Sequence, residues 1–353
     1  MIKVKLGKKI VSANSLPYII AEIGVNHECS MKKAKQLILN AKKGGADAAK
    51  FQTYKAHLIT SKHAPGYWDL TEEKTKNQFE LFTKFDHFEK ENYYELANYC
   101  KQVGIEFIST PFDHNAVDML DRIVKFYKVS SSDITNFPLL HKIASKKKPI
   151  LISTGASSIK EIDDAIDYLK KHRSKDIVIM HCILNYPTMD KDANLNMITN
   201  LKEKYPKHII GYSDHTLPCK EMKNLTTAYL LGARVIEKHF TLNKKLKGND
   251  HYHSMNINDL YNFVNRLKNL KFRIGIKQKK YLNSELKSRR LARRSLVLIK
   301  SVSKNSIIKK SNLICKRPGT GIQPLKINRV IGKRVNKNLK DDHILKWSDL
   351  HSK

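Results

Sequence analysis

The sequence predicts a (β/α)8 barrel followed by a small C-terminal domain. Three observations predict it. Eight short, nearly continuous apolar runs recur between residues 18 and 240, each of strand length, as expected for strands buried on both faces of a parallel sheet. Amphipathic helical patterns lie between them. Polar and charged residues recur at the C-terminal ends of the runs, the rim where such barrels carry their sites. A doubly wound open sheet is the competing architecture, and no Gly-rich dinucleotide loop follows the first run to support it.

The runs are YIIAEIG (18–24), AAKFQT (48–53), EFIST (106–110), FYKVSS (126–131), PILIST (149–154), IVIMHC (177–182), IIGYSD (209–214) and VIEKHF (235–240). The segment SMKKAKQLILNAKKGG after the first run has helical spacing and ends in glycine, a C-cap signal. HFEKENYYELANYCKQVG, SSIKEIDDAIDYLKKH and KEMKNLTTAYLLGA read as helices in the same way. The longest insertion, 55–92, carries aromatics and charges and is placed to cover part of the barrel mouth. A last amphipathic stretch spans 258–270. The predicted organisation is a barrel domain over 1–275, a basic linker over 276–294 and a small domain over 295–353. The small domain holds a weak repeat, NSIIKKSNL (305–313) and DHILKWSDL (342–350). Two copies point to a compact unit of pseudo-two-fold character, near the lower size limit for an independent core.

Composition bounds the function. The 353 residues include 66 Lys+Arg against 33 Asp+Glu, a net charge of +33, and 271–353 alone holds 24 basic and 4 acidic residues. Such an excess suits a polyanion partner, an anionic small molecule, or a lysine-rich proteome with extra lysines on solvated faces; it speaks to partners and solubility, not to fold. The basic tail has no interleaved aromatics and no recognisable nucleic-acid motif, so a nucleic-acid partner is not expected. Nothing approaches the ~18 apolar residues of a membrane span, and the N-terminus lacks the apolar block of a signal peptide. No membrane association and a cytoplasmic location are therefore expected. The five cysteines form no CxxC pair, which argues against a zinc ribbon, a redox dithiol or a disulfide scaffold.

The predicted rim carries chemistry. Glu22 ends the first run, with Asn26 and His27 beyond it. Lys50 and Gln52 share a face of the second by the period-two rule. Ser109 and Thr110, then Lys128 with Ser130–Asp133, then Ser153 and Thr154 follow. His181 ends the sixth run, with Asn185 and Tyr186 just beyond; Ser213, Asp214 and His215 end the seventh; Glu237 and His239, two apart, end the eighth. Burying Lys, Glu and His in apolar strands costs free energy unless they are paired or functional. Lys50 and Lys128 with Thr110, Ser131 and Ser153 suit a phosphate or carboxylate. His215 and His239 end neighbouring strands and suit a divalent metal with open positions. Glu22 is a candidate acid, base or hydroxyl binder. In KGNDHYHSM, Asp250, His251 and His253 cluster; Asp250 either meets sugar hydroxyls or belongs to a solvated loop. The set fits a metal-assisted, aldol-type condensation of an anionic substrate with a carbonyl.

The stretches IIAEIGVNH, GADAAKFQTY, FISTPFD, YKVSSSD…PLL, ILISTGAS, HCILNYPT, IGYSDHT, EKHFTL and RPGTGI, in order over nearly the whole chain, resemble the sialic acid synthase family. These are phosphoenolpyruvate-dependent synthases of nine-carbon α-keto sugars with a C-terminal SAF (β-clip, antifreeze-like) domain. The resemblance implies that Lys50, Thr110, Lys128, Ser131 and Ser153 bind phosphoenolpyruvate. It implies that His215 and His239 hold Mn2+ or Mg2+, and that Glu22, Gln52, Tyr186 and Asp250 face the acceptor sugar. Lys50, Glu22 and, more weakly, Asp133 are the catalytic candidates. Arg317 of KRPGTG is expected to touch the acceptor's N-acyl group in a partner subunit, which implies a domain-swapped homodimer. The implied reaction joins phosphoenolpyruvate to an N-acylated hexosamine and releases phosphate by C–O cleavage, with N-acetylmannosamine as the family default acceptor and legionaminic or pseudaminic acid precursors as alternatives. A Schiff-base aldolase using Lys50 or Lys128, and a polyanion-binding protein, are the rival readings. The chain departs from the pattern at Asp133, where relatives often carry Glu, at Glu28–Cys29 in NHEC, and at Leu184, where several carry a polar residue that Asn185 would have to replace.

Overall fold

The computed structural model describes residues 2–68, 70–71, 73–248 and 250–351. The chain divides into two units, one ending at Ile274 and one beginning at Gly275.

The first unit opens with an antiparallel hairpin, β1 (Lys3–Leu6) and β2 (Lys9–Ser12). Eight parallel strands follow: β3 (Tyr18–Gly24), β4 (Ala48–Thr53), β5 (Glu106–Pro111), β6 (Tyr127–Val129), β7 (Ile150–Ser153), β8 (Ile177–Cys182), β9 (Ile209–Asp214) and β10 (Val235–His239). Their order is β5-β4-β3-β10-β9-β8-β7-β6, hydrogen-bonded at seven junctions. β5 and β6 lie side by side at the eighth, so the barrel is nearly closed. These are the eight runs of the sequence, each followed by at least one helix as a parallel barrel requires.

Alternation sorts the strand residues into two cores. Outward side chains such as Ile19, Ala21, Ile23, Ala49, Phe51 and Phe107 pack under the helices. Inward ones (Tyr18, Ile20, Ala48, Ile108, Phe126, Leu151, Val178, Met180, Ile209 and Val235) meet Val4, Leu6 and Val11 of the hairpin. The hairpin thus seals one end of the barrel with apolar side chains. Sequence reading missed it because its strands are four residues long and alternate with lysine. The interior is narrow here: a Cβ on Gly211 would stand 2.9 Å from the Val235 carbonyl oxygen, so glycine is required.

Local signals set the helices. Ser30 caps the helix Met31–Gly44 by accepting from the Lys33 amide, and Gly45 ends it at φ 95°, a conformation glycine adopts without Cβ strain. Ser158 and Glu161 form a capping box on Ile159–Lys171. The last amphipathic helix of the unit runs Ile257–Ile274, four residues beyond the predicted 258–270. The insertion after β4 forms two short helices, Ala56–Ile59 and Gln78–Phe85, and buries Trp68, whose indole donates to the Thr75 carbonyl at 3.1 Å.

In the second unit, the segment read as a linker carries a short helix, Leu286–Ala292. β11 (Ser295–Leu298) and β12 (Leu313–Lys316) pair antiparallel over a core that includes Leu296, Leu298, Ile308, Val330, Val335 and Leu345. The two sequence repeats share local geometry. Each begins with a positive-φ residue, Asn305 or Asp342. Each ends in a 3-10 turn, Lys310–Asn312 or Trp347–Asp349, closed by a side-chain oxygen of Asn312 or Asp349 on the amide three residues back.

Candidate active site

The inward positions change character along the strands. Beyond the apolar layer, β3 presents Glu22, β4 Lys50 and Gln52, β5 Thr110, β6 Lys128, β7 Ser153, β8 Cys182, β9 Ser213 with His215 just after it, and β10 Glu237 and His239. All line one cavity of about 500 Å3. The site exists because each strand keeps its period of two past the last apolar residue.

Four charges occupy its floor, all buried. Lys50 Nζ stands 2.9 Å from Glu22 and 3.6 Å from Glu237, and donates to Thr110 Oγ1 at 3.1 Å. Lys128 Nζ is 3.7 Å from Glu237, which also accepts from Ser213 at 3.0 Å. Gln52 donates to Glu22 at 3.1 Å. Burial opposes charge on Lys50, but Glu22 and Glu237 outweigh it and raise its pKa. Burial lowers that of Lys128, with Glu237 partly offsetting and Lys50 adding to the effect. Burial resists ionisation of Glu237 too, yet the two lysines prevail and lower its pKa. Glu22 goes the other way: burial, only partly countered by Lys50, pushes it up to about 7. Ser153 Oγ is buried without a hydrogen-bond partner among the described residues, and Ser131 Oγ accepts from the Gly155 amide at 3.0 Å. Two lysines and a donor hydroxyl lacking a partner make a cradle for an anion.

Another part of the same lining is built of imidazoles. The rings of His215 and His239 are 5.5 Å apart, and Tyr186 lies against His215 at 4.1 Å. His215 uses Nδ1 on the Ile183 carbonyl at 2.8 Å. His239 Nδ1 has no hydrogen-bond partner among the described residues and stands 3.4 Å from Asp250 Oδ2. Burial drives the pKa of His239 well below its usual value, so its imidazole is neutral at neutral pH, as metal ligation requires. His239, Asp250 and His253 present ligand atoms within 4.8 Å of one another. Imidazoles beside a carboxylate suit a divalent cation.

All the candidate residues of the first unit line this mouth: Glu22, Lys50, Gln52, Thr110, Lys128, Ser131, Asp133, Ser153, Tyr186, His215, His239 and Asp250. Asp133 is held up in pKa by burial. Arg317 lies in the second unit and is exposed. Other rim readings are corrected. His181 points outward, bonded to the Ala193 carbonyl and stacked on Tyr212. Asp214 also faces outward, paired with Lys238 at 2.5 Å and with Thr216. His27 stacks on Phe88, and burial lowers its pKa to about 4. Asn26 ties Phe240 to Ser254. Glu28 turns to Lys33 and His251. Leu184 lines the mouth and Asn185 does not. Sequence reasoning gave no role to Glu237 or His253; the spacing Glu237–His239 was the available signal for the first. The insertion covers the mouth as expected, with Leu58, Tyr67, Trp68, Leu81, Phe82 and Phe85 as an apolar wall.

Comparison with known proteins agrees with this geometry. The NeuB family model matches residues 37–279. The chain belongs to the NeuB family. A SAF domain follows at residues 293–351. Among NeuB-type relatives, the N,N'-diacetyllegionaminic acid synthase of Legionella pneumophila is 38% identical over 95% of both chains. That of Campylobacter jejuni is 37% identical over 93% of this chain and 98% of its own. Among solved structures, the N-acetylneuraminic acid synthetase of Leptospira borgpetersenii superposes with a TM-score of 0.72 at 31% identity, covering 81% of this chain and 94% of that one. The chain is thus an enzyme, a sugar-acid synthase, and no described helix is long and apolar enough to cross a membrane.

Proposed function

We propose that this NeuB-family enzyme condenses phosphoenolpyruvate with a di-N-acetylated hexosamine, giving a nine-carbon α-keto acid of the legionaminic type and inorganic phosphate. The observation that carries the reaction is the pairing, in one mouth, of a buried two-lysine floor with an imidazole and carboxylate wall. The floor would take the phosphate and carboxylate of phosphoenolpyruvate on Lys50 and Lys128, with Thr110, Ser131 and Ser153 as hydroxyl partners. The wall would face the acceptor's carbonyl. A divalent cation bound there would polarise that carbonyl; His215 and His239, with rings 5.5 Å apart, are the residues that would hold it, and Asp250 stands 3.4 Å from His239.

In this reading, C3 of phosphoenolpyruvate bonds to the acceptor's carbonyl carbon. Water adds at C2, and the C2–O bond to phosphate breaks, leaving the α-keto acid. Lys50 and Lys128 hold the anion in place and offset its charge, while Glu237 keeps both ammonium groups aligned. Glu22, with a pKa near 7, is suited to give a proton to the new alkoxide and regain one from water. Holding both substrates in one cavity supplies much of the acceleration. Asp133, which lines the same mouth, is a weaker candidate for proton transfer.

Two observations favour a diacetamido acceptor over N-acetylmannosamine, the default of the sequence reading. Leu184 and the insertion's aromatics give the mouth an apolar wall suited to acetamido methyl groups. The Legionella and Campylobacter relatives are named for a diacetyl product. Arg317, exposed on the SAF domain, is assigned to the acceptor's N-acyl group in a domain-swapped dimer as part of the same proposal. A Schiff-base route is disfavoured because its neighbours keep Lys50 charged, and borohydride with substrate should trap no adduct.

The test is phosphate release from phosphoenolpyruvate with N-acetylmannosamine and the two diacetamido precursors, in Mn2+ and in EDTA. Metal-dependent release with a diacetamido sugar is expected. Release with N-acetylmannosamine alone would reassign the acceptor, and none with any sugar would refute the reaction.

A further inference from the structure

We propose that the sealed end of the barrel, away from the mouth, carries a second binding site, and that its ligand is a nucleoside polyphosphate. None of its residues takes part in the proposed reaction.

A cavity of about 990 Å3 lies there, at the upper end of the range for small-molecule sites. The β1–β2 hairpin, the first residues of β3 and β5, and the ends of the helices Met31–Gly44 and Lys90–Val103 contribute to it. The inward apolar layer, with Ile20, Leu151 and Met180 packed toward Leu6, separates it from the mouth.

Its lining holds seven Lys or Arg against three Asp or Glu. Two of the cations are committed within the protein. Lys9 pairs with Asp47 at 2.9 Å, and Lys42 donates to the Gly104 carbonyl at 2.5 Å. Lys5, Lys8, Lys101, Arg122 and Lys125 are exposed and make no ion pair or side-chain hydrogen bond among the described residues. Cations gathered without partners repel one another, and a polyanion offsets that repulsion.

The floor adds what solvated lysines alone would not. Tyr18 lines the cavity and is 1% exposed, yet its hydroxyl has no hydrogen-bond partner among the described residues. Burial, together with Asp47 and Glu106, holds its pKa well above the usual value, so it stays a donor. Leaving a buried hydroxyl unsatisfied is costly, and a ligand oxygen would satisfy it. Gly7, at φ 57°, lies against the Glu106 carboxylate, where a Cβ would collide. The hairpin turn is thereby seated on the floor, which brings Lys8 to the cavity. Burial raises the pKa of Glu106, and Lys125 and Lys8 counter it in part.

The ligand class follows from the lining. Five uncommitted cations call for more than one phosphate. Leu6, Ile105, Phe107 and Ile123 share the lining, and apolar surface of that kind calls for a base.

The experiment is calorimetric titration of adenosine triphosphate into the full-length protein in EDTA, with tripolyphosphate as the second ligand. EDTA removes any divalent ion that would bind the nucleotide elsewhere. Adenosine triphosphate should bind more tightly than tripolyphosphate. Lys8→Ala with Lys125→Ala should weaken nucleotide binding ~10-fold. Lys32→Ala with Lys268→Ala removes the same charge from exposed helix positions outside the cavity, and should change binding little. Glu106→Gln removes an anion from the floor and should tighten binding ~3-fold. Lys128→Met, in the mouth, should leave it unchanged. No binding, or a loss shared by the Lys32 and Lys268 variant, would overturn the proposal, as would weaker binding in Glu106→Gln. Tripolyphosphate binding as tightly as the nucleotide would overturn the nucleoside assignment. The four lysines of the paired variants are exposed, so those proteins should fold. Phosphate release plays no part in the readout, so failure of the proposed reaction would leave these affinities intact.

Discussion

The two halves of the mouth carry buried polar groups on opposite terms. On the lysine side, Lys50, Lys128, Glu22 and Glu237 neutralise one another at 2.9 to 3.7 Å. On the histidine side, His239 and His253 bury ring nitrogens without a hydrogen-bond partner among the described residues. Charges that are paired in advance hold their geometry, each offsetting part of the other's burial penalty; imidazole nitrogens without a hydrogen-bond partner suit a cation. One half is thus preorganised for an anion by internal pairing, and the other presents ring nitrogens that a bound group would satisfy.

The largest effect should come from breaking the pairing. Lys50→Met leaves Glu22 and Glu237 without their shared cation. It should cut kcat/KM for phosphoenolpyruvate by ~10^3-fold, measured as steady-state phosphate release. Lys50→Arg should recover little, because a planar guanidinium does not fit a pocket shaped for an ammonium.

Glu22 links the lysine floor to pH. Its folded pKa, about 7, lies above the carboxylate value of an unfolded chain. The folded state therefore holds the extra proton between those two values. Its contribution to stability is complete below the unfolded pKa and is lost as pH rises through about 7. The melting temperature of wild type should fall from pH 5 to pH 8 more steeply than that of Glu22→Gln. Parallel curves would place the proton elsewhere.

A smaller change is expected at the apolar wall. Trp68→Ala should raise the acceptor's KM ~10-fold with phosphoenolpyruvate's KM nearly unchanged. Equal changes in both would mean that the insertion serves both halves. Arg317→Ala should act least, raising the acceptor's KM ~3-fold, as for one exposed charged contact.

Most of the barrel was legible because buried parallel strands must be apolar on both faces, and IVIMHC or VIEKHF satisfies that in few other ways. The sealing hairpin was not, since KVKL buries only alternate residues and four residues give too short a period to read. The lysine floor could be read from Lys50 and Lys128, which interrupt apolar strands. His181 and Asp214 misled because strand-end position does not fix the face; each is one residue out of phase with an inward neighbour, Cys182 or Ser213. His253 carried no strand signal at all. Its place depends on how the loop after β10 folds back onto His239, a long-range contact that no local period encodes.

The most direct measurement is calorimetric titration of phosphoenolpyruvate into two variants, Lys128→Met and His239→Ala. The division of the mouth predicts that Lys128→Met loses phosphoenolpyruvate binding by ~100-fold or more, and that His239→Ala retains it within about 3-fold. Equal losses in both variants would contradict the account, for the two halves would then be one undivided site.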